Sequence, residues 1–134
     1  MRVWPATERD IEECVAIAAS RYRELDVPAT IAWARARINE PKLSFLRSEN
    51  AVCCVIYEST FWAPNEADAR LIFLAGRMGA GLWEAYSLMK EQVRRAKALG
   101  CSKFYMGTET EFDLSPIAKR LGFVHAGATY RMEL

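Results

Sequence analysis

Apolar residues recur at spacings of three and four up to about position 39, crowd into short runs between 43 and 74, and return to helical spacing after 82. Ile11, Cys14, Val15, Ala18 and Tyr22 fall on one helix face. Thr7, with Asp10 three residues later, makes a capping-box-like start for that helix. Met1 to Pro5, just before it, reads as a short edge strand. A second helix, from Pro28 or Ala29 to Asn39, carries Ile31, Trp33, Ala34 and Ile38, and Pro41 forbids its continuation. From Leu43 the period changes. Leu43 to Arg47 and Ala51 to Thr60, the latter rich in Val, Ile, Cys and Tyr, flank Ser48, Glu49 and Asn50 and predict a hairpin. A polar connection from Ala63 to Asp68, with Pro64 and Asn65, leads to a third strand at Ala69 to Leu74, so the economical topology is an antiparallel meander.

Glycine then interrupts the sheet with Gly76, Arg77, Met78, Gly79, Ala80 and Gly81. A long helix follows from Leu82 to Leu99, with a stripe of Leu82, Tyr86, Met89, Val93 and Ala96, and Gly100 is placed as its C-terminal cap. Lys103 to Gly107 predicts another strand. Leu114 to Leu121 predicts a short helix begun by Ser115-Pro116, and Phe123 to Leu134 a final pair of short strands around Gly127. No internal repeat, low-complexity stretch or linker divides the chain, and 134 residues suit one domain, 1–134.

Composition narrows the function classes. A hydrophobic content of 51% with 26% charge is that of an ordinary soluble globule. The net charge of +1 gives little attraction for polyanions, so nucleic acid is not the expected partner. No apolar run approaches the roughly 20 residues that cross a bilayer, and the charged, proline-containing start is unlike a signal peptide. A cytoplasmic location is expected, with no membrane partner. Cys53 and Cys54 are adjacent in a strand-like run while Cys14 and Cys101 stand alone, which is no metal framework. Buried, reduced thiols are expected.

The chemistry concentrates in the glycine segment. A strand running into Gly76-x-x-Gly79-x-Gly81 and then a long helix presents backbone N–H groups at the positive end of a helix dipole, a setting that suits a phosphate. A Walker loop needs Lys and Ser or Thr after its last glycine, whereas Leu82-Trp83 follow here. A dinucleotide fingerprint needs G-x-G-x-x-G early in a βαβ unit, and the spacing here is reversed.

The segment resembles instead the Q/R-x-x-G-x-G/A loop of the GNAT superfamily, the acetyl-CoA-dependent N-acetyltransferases. Gly76 stands where that loop has Gln or Arg, and Arg77 is adjacent. The opening Arg2 to Asp10, the stretch Ala96 to Gly107 with its Gly100-Cys101, and the ending Leu121-Gly122-Phe123 resemble the family as well, so the likeness covers nearly the whole chain. It implies an α/β (α+β) fold with a mixed, mainly antiparallel sheet flanked by helices. It also implies a V-shaped opening between the fourth and fifth strands for acetyl-CoA. The pyrophosphate would lie on Gly76, Arg77, Met78, Gly79, Ala80, Gly81 and Leu82, and the pantetheine would pair with the backbone around Phe73 and Leu74. Terminal strands of this family often pair between subunits, so a homodimer is the assembly the resemblance points to.

Acyl transfer to an amine needs a deprotonated nitrogen, close approach, a donor for the oxygen that gains charge, and a proton for the leaving thiolate. The family's usual acid is a tyrosine four residues before the glycine of the Leu-Gly-Phe turn; that position is Ala118. Ser115, one turn earlier, has two readings, a helix N-cap and a hydroxyl near the sulfur. Tyr105 and Tyr130 are further phenols. Glu58 and the cluster Glu109, Glu111 and Asp113 are the candidate bases, the cluster being placed to attract a cationic amine. His125 reads as a structural or surface residue. Phe61, Trp62 and Trp33 are candidate walls of an acceptor pocket, and Lys90, Arg94, Arg95 and Lys97 form a basic face of the long helix. Two functions stay open: an N-acetyltransferase acting on an amine of a small molecule or a protein lysine, and a catalytically silent binding or assembly module of the same fold.

Overall fold

The computed structural model describes residues 2–107 and 113–134. Strand β1 (Trp4–Pro5) leads through a 3-10 turn at Glu8–Asp10 into α1 (Ile11–Arg21), followed by α2 (Val27–Arg37), β2 (Leu43–Arg47), β3 (Ala51–Thr60) and β4 (Ala63–Gly76). Then come α3 (Gly81–Ala98), β5 (Lys103–Tyr105) and α4 (Ser115–Leu121). The five strands lie in sequence order in one sheet; β1 to β4 are antiparallel and β4 and β5 parallel.

Alternation along the strands sends helices to both faces. Cys53, Val55 and Leu74 point toward α3 and α4, where Leu88, Met89 and Ile117 complete the main core. Val52 and Ala75 point the other way, onto Ile17 and Ala18 of α1. Leu88 and Met89 are fully enclosed, and each such side chain contributes about 1.5–3 kcal/mol of burial. Helix α1 uses two surfaces: Ile17 and Ala18 meet the sheet, while Ile11 and Val15 pack with Ala34 of α2. One apolar stripe read from spacing therefore leaves out Ile17.

Several boundaries differ from the sequence expectation. The segment 63–68 is not a polar connection but the first part of β4, because the turn falls at Phe61-Trp62, between the paired Thr60 and Ala63. A break in register between Glu58 and Thr60 absorbs Pro64 and its neighbours. The cap of α2 is Asp26, whose carboxylate accepts the Ala29 N–H at 3.0 Å. Thr7 and Asp10 do pair, the Thr7 N–H reaching Asp Oδ2 at 2.8 Å. Residues 123–134 form no strand: β5 offers only three residues of ladder, and the side chains of Val124, Tyr130 and Met132 remain exposed.

Candidate functional site

Two features of β4 prepare an opening. Leu71 pairs with Val55 and Phe73 with Cys54, so Ile72 is an extra residue on β4, a bulge that bends the strand. It also reverses the facing: Leu71 and Leu74 join the α3 side, Phe73 the α1 side. Meanwhile β5 pairs with β4 only at Asp68, Ala69 and Arg70. Past Arg70 the outer edge of β4, up to Gly76, has no ladder partner among the described residues. The backbone edge at Phe73 and Leu74, expected to pair with an extended ligand, is thus left open.

The open edge ends in the glycine loop. Arg77 to Ala80 make a turn closed by the Ala80 N–H on the Arg77 carbonyl at 3.0 Å. Gly79 at φ +90° and Gly81 at φ +75° occupy the left-handed region that L-residues avoid. Ala80 is the N-cap of α3, and among the described residues no side chain caps that first turn. The leading amides of an 18-residue helix are therefore uncapped, next to Met78, Leu82 and Trp83, all of them exposed.

Glu84 lies in that first turn but turns inward. It is buried, and its Oε1 accepts the Ser48 hydroxyl at 2.5 Å and the Asn50 N–H at 2.9 Å. The hairpin turn between β2 and β3 is thereby tied to the base of the loop. Arg77 is held on the same side. Its N–H donates to the Asn50 carbonyl at 2.8 Å, and its guanidinium lies 3.4 Å from Asn50 Oδ1 and 3.6 Å from Glu13 Oε1. Beneath them Arg47, 3% exposed, donates to Asp10 at 3.1 Å, Glu13 at 2.8 Å and the Ser48 carbonyl at 3.1 Å, and lies over the Trp4 ring. The Arg47 hydrogen bond and charge hold the Glu13 carboxyl below its usual range. Burial opposes the same effect at Asp10, but Thr7 and Arg47 together outweigh it. None of these three anchors, Arg47, Ser48 and Glu84, stands out in the sequence, since each reads as an ordinary strand, turn or helix-surface residue.

The remaining candidates separate. Glu109 and Glu111 lie outside the described residues. Ser115 is not the cap of α4: Leu114 holds that position, and the Ser115 N–H donates to Asp113 at 2.9 Å. Ala118 places a methyl group at the position where the resemblance implies a tyrosine, on the helix closed by Gly122 at φ +89° and by Phe123, whose ring meets Phe104 edge to face at 5.6 Å. Tyr105 sits at the last β4–β5 pair, opposite Arg70, with that guanidinium 5.0 Å from its ring centre. Glu58 pairs with Asp68, on the closed side of the opening. Tyr130 and His125 are in the exposed tail. The proposed aromatic wall is not assembled: Phe61 and Trp62 pack edge to face at the tip of the β3–β4 hairpin, while Trp33 meets Phe45. Arg94 and Arg95 are engaged with Glu91.

A groove of about 420 Å³ lies between β2, the end of α2 and the C-terminal end of α3, lined by Tyr57, Arg95 and Leu99 among others. It touches no loop residue and lies at the wrong end of α3 for the helix N-terminus to act there. All four cysteines are free; burial pushes the Cys54 thiol up to about 12 and Cys14 up to about 11. No group of three metal-ligating side chains and no helix long and apolar enough to cross a membrane occurs among the described residues.

The order of elements, with β5 parallel to β4 and a glycine loop before α3, makes a GNAT-like fold, and solved structures agree with it over the whole length. A transcriptional regulator from Bacillus halodurans C-125 superposes with a TM-score of 0.82 at 19% identity, covering 99% of both chains. A predicted acetyltransferase from Clostridium acetobutylicum, solved with acetyl-CoA, gives 0.76 at 13% identity, covering 98% of this chain and 95% of that one. An aminoglycoside 6'-N-acetyltransferase from Acinetobacter haemolyticus gives 0.76 at 14% identity, covering 100% and 98%. No protein-family model matches the sequence, and no curated protein matches it.

Proposed function

We propose that this chain is an acetyl-CoA-dependent N-acetyltransferase that passes the acetyl group directly to a primary amine, of a small molecule or of a protein lysine. The observation that carries the reading is the uncapped N-terminus of α3 beside the unpaired edge of β4. The first offers amide donors and a positive dipole end to a pyrophosphate; the second offers an extended arm a strand to pair with. The residues present fit such a ligand, because a Cβ is lacking at Gly79 and Gly81 and the acid of the helix's first turn, Glu84, is turned away to Ser48 and Asn50.

Acetyl-CoA, when bound, supplies the activated acyl carbon. The outer edge of β4 and the loop amides orient it, and the closed end of the opening at Arg70 and Tyr105 limits how far it enters. The amine forms the new C–N bond as the C–S bond breaks. It must lose its proton, and the thiolate must gain one. With Ala118 in the phenol's place, Tyr105, which ends the β4–β5 ladder, is the phenol assigned as proton donor, and water is the other source. Arg70 over the Tyr105 ring favours its electron-rich face and keeps the ring in place.

Release of free thiol from acetyl-CoA in the presence of a panel of polyamines, aminoglycosides and lysine peptides tests the proposal. Acceptor-dependent thiol release with matching acetylated product is the expected result, and Tyr105→Phe should slow it without changing acetyl-CoA affinity. Tight acetyl-CoA binding with no transfer to any acceptor would point instead to the binding-module reading, which the missing phenol at Ala118 favours.

A further inference from the structure

Coenzyme A carries, besides its pyrophosphate, a phosphate on the ribose 3′ position, and several arginines of the chain are engaged with carboxylates elsewhere. Arg94 and Arg95 pair with Glu91, and Arg94 lies 13 residues beyond Gly81, about 20 Å along the helix axis. Arg77 faces Glu13 and Asn50. Arg120 differs. It stands on α4, exposed, with no ion pair among the described residues, its guanidinium carbon 5.2 Å from the Tyr86 ring centre and 5.8 Å from that of Trp83. The two rings stack at 5.4 Å and 26°, and Trp83 is 57% exposed. Together they form a cation above an aromatic platform that begins two residues inside α3.

The placement matters because of how the ligand is connected. A pyrophosphate held on the first amides of α3 is joined through one ribose to both an adenine and the 3′-phosphate. With that anchor, Trp83, two residues into the helix and 57% exposed, would offer a purine its ring, and Arg120 above it would offer the phosphate monoester two parallel N–H groups. Resting on the rings keeps the guanidinium extended toward that position when no anion is present.

We infer that Arg120 is the specificity residue for the 3′-phosphate and that Trp83 is the stacking surface for adenine, so the site distinguishes coenzyme A from its 3′-dephospho form. The inference rests on reading the glycine loop as an acetyl-CoA site. Affinities of acetyl-CoA and 3′-dephospho-acetyl-CoA, measured calorimetrically for the intact chain and for Arg120→Gln, Arg120→Lys and Trp83→Ala, test it. The intact chain should prefer the phosphorylated ligand by roughly tenfold or more, the factor a charge-assisted pair commands. Arg120→Gln should lose that preference while binding the dephospho ligand unchanged, Arg120→Lys should keep part of it, and Trp83→Ala should weaken both ligands alike. Equal affinity for the two ligands in the intact chain, or an undiminished preference in Arg120→Gln, overturns the assignment and leaves the loop site standing. Absence of binding by either ligand overturns the site itself, and this inference with it. Arg120 is exposed, and an unchanged far-ultraviolet spectrum and melting temperature in its variants separate lost recognition from lost fold.

Discussion

Gly79 carries the sharpest consequence of the loop geometry, because conformation and charge can be changed there separately. Its φ of +90° disfavours L-residues, yet a Cβ built on it would meet nothing within 4 Å. Gly79→Ala therefore costs only backbone strain, about 1–2 kcal/mol, which corresponds to a loss of roughly 5–30-fold in acetyl-CoA affinity if the loop must hold this shape to bind. Asn tolerates left-handed backbone best among the larger residues, so Gly79→Asn should lose less than Ala. Gly79→Asp has the same shape as Asn and adds one negative charge beside a pyrophosphate. At solvent-exposed distances each pair of like charges costs about 1 kcal/mol, so two phosphate charges cost about 2 kcal/mol, a further factor of about 30. Calorimetric titration of the three variants at low and high ionic strength is the assay. The gap between Asp and Asn should be widest at about 0.01 M salt, where the screening length is about 30 Å, and narrow at 1 M, where it is about 3 Å. Equal affinities for Asp and Asn at low salt would show that no anion sits at this loop.

Other consequences concern the frame around the site. Arg47→Met removes a buried cation from Asp10 and Glu13 and should lower stability at neutral pH by about 2–3 kcal/mol, below the usual range for a broken buried pair because Glu13 is half exposed. Both carboxyls titrate below their ordinary values in the folded state, so their contribution is complete above about pH 4.3 and is lost as the pH falls through those depressed values. Urea melts between pH 3 and 7 should show the gap between the intact chain and the variant closing in acid; a gap independent of pH would refute the linkage. Gly122→Ala forces a side chain into φ +89° at the end of α4 and should cost about 1 kcal/mol, a fall of roughly 3–5 °C in melting temperature. An unchanged melt would mean that the Leu-Gly-Phe turn is not held in this shape. Thiol titration at pH 8 should leave Cys53 and Cys54 unmodified in the native chain and expose all four cysteines in denaturant, since burial raises both thiols; rapid native labelling of Cys53 would contradict the packing against Met89.

Periodicity revealed the elements that bury a regular face, and missed those decided by tertiary partners. The limits of β2 and β3 were legible because Val, Ile, Cys and Tyr fill them and Ser48 to Asn50 interrupt them. The glycine loop was legible because Gly79 and Gly81 mark backbone that only glycine adopts readily. The bulge at Ile72 was not, since an extra β-branched residue in a strand leaves no mark until its partner strand is known. Glu84 reads as a solvated first-turn acid, and only the arrival of Ser48 and Asn50, more than 30 residues away in sequence, turns it inward. Pro64 and Asn65 look like a turn, but the ladder closes two residues earlier around Phe61 and Trp62. Ser115 before Pro116 has the composition of a cap, yet Asp113 accepts the free N–H and the hydroxyl is not needed for that role.

The account stands on acetyl-CoA meeting the first amides of α3 and the outer edge of β4. Backbone amide spectra of the isotope-labelled chain, recorded while acetyl-CoA is added, test this residue by residue. Saturable changes concentrated at Gly79 to Glu84 and Leu71 to Gly76 are the predicted result. Saturation with those amides unmoved, or no change at millimolar ligand, would contradict it.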